Sequence, residues 1–247
     1  KMNAEQPLLK IEGISKSFGK IKALKDVSLT IEEGEVVGLV GDNGAGKSTL
    51  MKVIAGAYIP DSGEIYINGE QVRFTHPSQA REKGIGIIYQ ELALAGLLSV
   101  TANVYMGKEL RKLRVFVDDK RMKKNTEEAL KKLKTTVKAV DQPVSTLSGG
   151  QQHAVATARY LIGTPPIIII MDEPTAGLGV VEADKIIKLI LETKQRGISV
   201  IFISHNLDHV FQVADRIVVL MSGENAGEIE RKDFNRSFVV KMMMGVE

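Results

Sequence analysis

The chain has 247 residues, 44% hydrophobic and 26% charged, and its 33 basic against 30 acidic side chains leave a formal charge of +3. That apolar content supports a packed core, and the absence of cysteine excludes a disulfide framework, a thiolate zinc site and a cysteine nucleophile. The longest strongly apolar runs, Ile167 to Met171 and Val200 to Ile203, fall far short of the roughly 20 residues a membrane-spanning helix needs, so membrane association is expected to go through a partner.

In chain order, Leu9 and Ile11 flank Lys10, and Val27 to Ile31 alternates in the half-buried style of strands. Val36 to Val40 is nearly continuously apolar, as in a sheet covered on both faces. A glycine-rich stretch follows, and Ser48 to Ala55 has helix-forming character. Glu64 to Ile67 reads as a short strand ending in an Asn68-Gly69 hairpin signal. A further apolar strand, Gly86 to Tyr89, leads into Gln90. From about Leu92 to Pro166 the strand signals fade. The spacing of Met122, Leu130, Leu133 and Val137 predicts a helix over Asp119 to Val140, with Asp118 or Asp119 as its cap. Its lysine-rich face, Lys120 to Lys138, reads as solvated. No aromatic residue interleaves with these lysines to stack bases, so no nucleic-acid partner is expected.

Beyond Pro166 the pattern predicts a strand at Ile167 to Met171, a helix near Val181 to Gln195, a strand at Ser199 to Ile203, a short helix, and a strand at Arg216 to Met221. Strands alternating with helices imply a mostly parallel sheet with right-handed crossovers. The expected fold class is α/β, and the length suits one large domain with an inserted lobe.

The strongest chemical signal is Gly41-Asp42-Asn43-Gly44-Ala45-Gly46-Lys47-Ser48, which fits G-x-x-x-x-G-K-[ST] between a buried strand and a helix. Small residues let the backbone curl its N–H groups toward one anion, and the helix adds its positive end. Lys47 supplies a full charge for the β and γ phosphates of a nucleotide, and Ser48 or its neighbour Thr49 a hydroxyl for Mg²⁺. The second element is the isoleucine-rich strand ending in Asp172-Glu173. Ligands of open α/β sheets bind at such carboxyl ends. Asp172 is placed to hold Mg²⁺, directly or through water, and Glu173 to polarise a water aligned on the γ phosphate.

Leu147-Ser148-Gly149-Gly150-Gln151 resembles the signature motif of ABC-transporter ATPases. Other landmarks of that family match in order: Phe18 where adenine stacks, Gln90 as the loop glutamine, Pro174 after the acid pair, and His205 as the switch histidine. AGAYIPDSGEIYINGE, KGIGIIYQEL and TAGLGVVEA resemble most the ATPase subunits of bacterial monosaccharide importers, with their single-domain, fructose-type members the closest in architecture. The resemblance implies a P-loop, RecA-like core with an antiparallel β subdomain (residues 1–91 and 166–247) and an inserted helical subdomain (residues 92–165), all within one nucleotide-binding domain of residues 1–247. It implies ATP and Mg²⁺ as cofactors, with Gln90 touching metal and attacking water and His205 touching the γ phosphate. It further implies that Ser148, Gly149, Gly150 and Gln151 cap the γ phosphate bound to a second nucleotide-binding domain in a head-to-tail homodimer. Permease subunits, and through them a substrate-binding protein, would be the partners, at the cytoplasmic face of the cell membrane.

Phe18 as an ordinary core aromatic is the alternative to adenine stacking. Two departures from the family pattern stand out: Gln152-His153 replaces the usual Arg-Gln, and Gly179 replaces the aspartate usual after leucine. Histidine at 153 reads as a solvated or packed helix residue. A non-transport ABC-type ATPase of DNA repair or translation, or a nucleotide-dependent regulatory module, is the competing function. The first usually needs long insertions or a second nucleotide domain, and the intact Glu173 and His205 speak against the second.

Overall fold

A computed structural model describes residues 6–113, 115–133, 135–162 and 166–246. Strands β1 (Leu9–Phe18) and β2 (Ile21–Ile31) pair antiparallel. In β3 (Val36–Val40) every side chain is buried, and alternate residues go to opposite faces: Val37 and Leu39 join one core, Val36 and Val40 another. β3 runs through the glycine-rich loop into helix α1 (Lys47–Ile54). β4 (Ser62–Ile67) and β5 (Glu70–Val72) form the hairpin expected from Asn68-Gly69, whose φ angles of 50° and 75° suit a two-residue type I′ turn. β4 also pairs with β1, giving an antiparallel sheet of order β2-β1-β4-β5. Helix α2 (Pro77–Glu82) then leads to β6 (Ile85–Ile88).

Three helices follow β6: α3 (Val100–Tyr105), α4 (Asp119–Lys132) and α5 (Gly149–Leu161). They bury Val104, Tyr105, Met122, Leu130 and Val155 in a core of their own. Of the two cap candidates, Asp118 is the one that accepts from the Arg121 N–H. The helix expected to reach Val140 ends at Lys132, closed by Leu133. The β-branched run Thr135-Thr136-Val137 disfavours continuation, and Val137 packs on the helical core without being helical. The strand-free expectation for this region also needs correcting, because β7 (Arg111–Lys112) and β8 (Phe116–Val117) make a minimal hairpin too short to leave an alternating pattern. Lys134 and the boundary expected at residue 165 lie outside the described residues.

The chain returns through β9 (Ile168–Asp172), α6 (Val180–Lys194), β10 (Ser199–Ile203), α7 (Leu207–Val213) and β11 (Arg216–Met221), each within a residue or so of expectation. Beyond the last predicted strand come β12 (Glu224–Glu230) and helix α8 (Arg236–Met244). The main sheet has the order β12-β11-β3-β10-β9-β6, parallel except for the antiparallel edge strand β12. The isoleucine run of β9 divides by period two: Ile168 and Ile170 face the core shared with α1 and the antiparallel sheet, while Ile169 and Met171 face α6 and α7.

Polar links fasten β2 and the turn after it to β11 and β12. The Lys25 N–H donates to the Gly223 carbonyl (2.7 Å), and the Asn225 amide bonds both ways with the Ser28 backbone (2.8 and 2.9 Å). Buried Arg216 donates to Glu35 (3.0 Å), Glu228 (2.6 Å) and the Thr30 carbonyl (2.7 Å). Among the described residues no helix is long and apolar enough to cross a membrane.

Candidate nucleotide site

The parallel order sets the carboxyl ends of β3, β10, β9 and β6 side by side, and the motif residues emerge there. The loop after β3 tolerates only glycine at two points. At Gly41 a Cβ would lie 2.2 Å from the Leu220 carbonyl oxygen, and at Gly46 (φ +103°) it would lie 2.7 Å from that of Ala23. Asp42, Asn43 and Gly44 are exposed, while Ala45 is buried and accepts from the Gly223 N–H (3.1 Å). The Lys47 side chain is buried and folds back over the loop, with Nζ donating to the Gly41 (2.8 Å) and Asp42 (3.0 Å) carbonyls. Burial pushes its amine below the ordinary lysine range, opposed in turn by the carboxylates of Glu173, Asp172 and Asp42. The loop and the acid pair thus share one electrostatic site. Ser48 is exposed at the mouth, whereas Thr49 is half-buried.

Asp172 ends β9 half-buried, and its carboxyl is pushed up by burial and then by Glu173, against the pull of Lys47 and Lys52. Glu173 has a φ of +47°, sparsely populated for a residue with a side chain, which turns it off the strand direction. Backbone bonds hold it there: its N–H donates to the Ile203 carbonyl (2.9 Å) and its carbonyl accepts from Ala176 (3.0 Å). Its Oε2 is buried without a hydrogen bond, yet lies 2.8 Å from His205 Nδ1; the two are close enough for an ion pair but not aligned as donor and acceptor. His205 is itself well exposed and precedes α7, whose N-cap is Asn206 rather than the histidine. In the β6–β9 register Ile88 faces Met171, so exposed Gln90 leaves its strand at the same offset as Glu173.

Phe18 is exposed at the end of β1, outside all three cores, with its ring edge-on to Tyr58 at 5.1 Å. The core-aromatic alternative therefore fails. Tyr58, unremarked in the sequence, carries Lys52 Nζ 5.3 Å from its ring centroid. A second group missed from sequence lies behind the acid pair. His209 Nδ1 is 3.0 Å from Oγ1 of buried Thr175, and Asn206, which precedes His209 by three residues, caps α7. These links join the chain just after Glu173 to the chain just after His205. Spacing gives no hint of them, since the contact spans two strand exits.

Ser148, Gly149, Gly150 and Gln151 open α5, with Ser148 at the cap position. The Ser148 N–H donates to Gln151 Oε1 (3.0 Å), and Gln151 Nε2 donates to Thr136 Oγ1 (3.2 Å), so the glutamine side chain is spent on the turn itself. Gly149 is packed so closely that a Cβ would come within 2.8 Å of Leu178. Gln152 donates to the Leu147 carbonyl (3.1 Å). His153 is packed rather than solvated: it is buried, with Nδ1 3.1 Å from the Gly149 carbonyl and Nε2 unpartnered. Among the described residues no hydrogen bond or ion pair joins this turn to Lys47 or the acid pair.

Comparison with known proteins agrees with this architecture. The family model described as ABC transporter matches residues 24–176. The fructose import ATP-binding protein of Rhizobium meliloti is 40% identical across 99% of this chain and 96% of its own. The xylose/arabinose import ATP-binding protein of Sulfolobus acidocaldarius is 41% identical across 96% and 93%. A dimeric, post-hydrolysis ATP-binding cassette bound to ADP and Pi superposes with a TM-score of 0.75 at 29% identity, covering 92% of this chain and all of that one. The fold is that of the ABC ATPases, and the chain belongs to the ABC transporter family as an ATP-binding, ATP-hydrolysing subunit.

Proposed function

We propose that this chain powers a monosaccharide importer, hydrolysing ATP at the sites of a head-to-tail homodimer docked on permease subunits at the cytoplasmic face of the membrane, with a substrate-binding protein delivering the sugar. The observation that carries the reading is the convergence of Lys47, Asp172, Glu173 and His205 at adjacent strand ends. The full-length similarity to sugar-import subunits supports the class of cargo. In this reading Gly41 to Gly46 wrap the phosphates with backbone N–H groups, Lys47 neutralises them, and Phe18 stacks on adenine. Residues 92–165 act as the helical subdomain and the remainder as the RecA-like and β subdomains.

The donors available for Mg²⁺ are hard oxygens, the exposed Ser48 hydroxyl, the Asp172 carboxylate and the Gln90 amide, which fit that ion. When bound, the metal neutralises charge on the β and γ phosphates. Ser48 is a better donor than Thr49 because it alone is open at the mouth. The Glu173 carboxylate, whose Oε2 is buried 2.8 Å from His205 Nδ1 without a hydrogen bond, is the base that takes a proton from an attacking water. His205 stands beside it, able to donate to the γ phosphate as charge develops. Asp172, whose carboxyl is pushed up in the free protein, is held ionised once cationic charge arrives next to it.

Ser148, Gly149 and Gly150 present the start of α5 to the γ phosphate held by the other subunit, and Gln151 supports that turn from within. Loss of the γ phosphate removes the bridge, and the dimer opens. Affinity capture from membranes tests the assignment. A permease recovered with the chain, and ATP turnover stimulated by the loaded sugar-binding protein, are the expected results. Recovery of ribosomes or DNA in place of a permease would overturn it.

A further inference from the structure

The helical region carries an apolar tip that no core uses. Leu113, Val115, Phe116 and Val117, on and between β7 and β8, are 88%, 71%, 68% and 54% exposed. None of them joins any of the three cores, although Leu110, just before the hairpin, packs on the helical one. The Val115 N–H bonded to the Lys112 carbonyl (3.1 Å) closes the hairpin as a tight turn. Four large apolar side chains held this far into water within five positions are unlike the scattered singles of an ordinary surface.

The flanking charge is one-sided. Residues 108–121 contain six basic and three acidic side chains, so the whole formal excess of the chain can be accounted for here. The three acids are also occupied locally. Glu109 accepts from the Gly107 N–H (3.0 Å), Asp118 caps α4 and pairs with Lys112 (3.2 Å), and Asp119 pairs with Lys123 (2.8 Å). Among the described residues no carboxylate lies within ion-pair distance of Arg111, Lys120 or Arg121. An apolar tip flanked by a net excess of cations matches an anionic lipid surface, where acyl chains take the apolar groups and headgroup phosphates the cations. A narrow projecting turn suits a soft headgroup layer that closes around it, whereas a protein partner would have to supply a matching pocket.

We propose that the β7–β8 tip makes a direct contact with anionic lipid headgroups, separate from any attachment through permease subunits. The test is flotation of the purified full chain with vesicles of phosphatidylcholine alone, and of phosphatidylcholine with roughly 30% phosphatidylglycerol. The chain should float with the anionic vesicles only, and less so when salt is raised from about 0.05 to about 0.5 M. The double variant Leu113→Ser/Phe116→Ser should lower the partition coefficient by roughly tenfold or more, and Arg111→Ser/Arg121→Ser should remove the preference for anionic lipid. Basal ATP turnover should be unchanged in both variants, since neither touches the nucleotide site, and it reports that they fold. Absence of binding to anionic vesicles would overturn the proposal, as would binding that the apolar substitutions leave intact. A double variant that floats like the parent but no longer captures a permease would make the tip a protein-docking element and overturn it equally. No arm uses the cargo or the site chemistry, so failure here is distinct from failure of the transport reading.

Discussion

Glu173→Gln isolates the proton-accepting step. The amide has nearly the shape of the carboxylate, and the backbone bonds to Ile203 and Ala176 that hold residue 173 at a φ of +47° do not involve the side chain. The change therefore leaves the loop in place and removes the base, its charge and its electrostatic contact with His205. Losing a general base costs about 10²- to 10⁴-fold in turnover, or about 3–5 kcal/mol in the barrier at roughly 1.4 kcal/mol per decade. Binding moves the other way. Glu173 is the second cause, after burial, that pushes up Asp172, and its charge faces the same space as Lys47. Deleting that charge removes repulsion toward a triphosphate, so ATP should bind at least as tightly and persist in a dimer. Phosphate release at saturating Mg-ATP measures the first effect; gel filtration after mixing with radiolabelled ATP measures the second. Turnover within about threefold of the parent would remove Glu173 from the role of base, and a variant that no longer binds ATP would show that the substitution had disturbed the loop instead.

Ser148→Arg should leave ATP binding to the monomer intact and block nucleotide-dependent dimerisation in gel filtration; a variant that still dimerises would contradict capping across the interface. His209→Ala should lower kcat by roughly tenfold with KM nearly unchanged, because Thr175 loses the partner that ties the Glu173 corner to the His205 turn. His209→Asn, able to restore a bond to Thr175, should recover much of the loss, and a shift in KM alone would refute the positioning role. His153→Gln tests a linkage to pH. Burial holds the imidazole below its ordinary value of 6.5, so the unfolded chain takes up the proton first as pH falls. Stability from the neutral ring is thus complete above about 6.5 and declines below it. The parent's urea midpoint should drop more between pH 7.5 and 5.5 than the variant's, and parallel drops would dissociate His153 from the acid limb.

The features legible in the sequence were those written in adjacent residues. The phosphate loop, the isoleucine run ending in two acids, and the Asn68-Gly69 turn each depend on local backbone demands that a few neighbours satisfy. The α4 boundary is not legible because Val137 is apolar at the helical interval, and periodicity does not distinguish packing from helicity. Phe18 stayed ambiguous because exposure is a property of the assembled sheets rather than of the residue. The Thr175–His209 contact escaped for the same reason, since it forms only when β9 and β10 lie side by side. The β7–β8 hairpin was hidden by brevity: two residues per strand leave no alternation to count.

The pairing of β3 between β10 and β11, with Gly223 bonded to both Ala45 and Lys25, bears on how the protein is made. The strands on either side of β3, and Gly223 with them, emerge from the ribosome roughly 150 to 180 residues after the loop itself. A nascent chain that already displays the whole phosphate motif still lacks the neighbours that shape it, and a translation product truncated before β10 inherits the same deficit. Competence to bind ATP therefore waits on β10 and β11, well after the motif itself has been made.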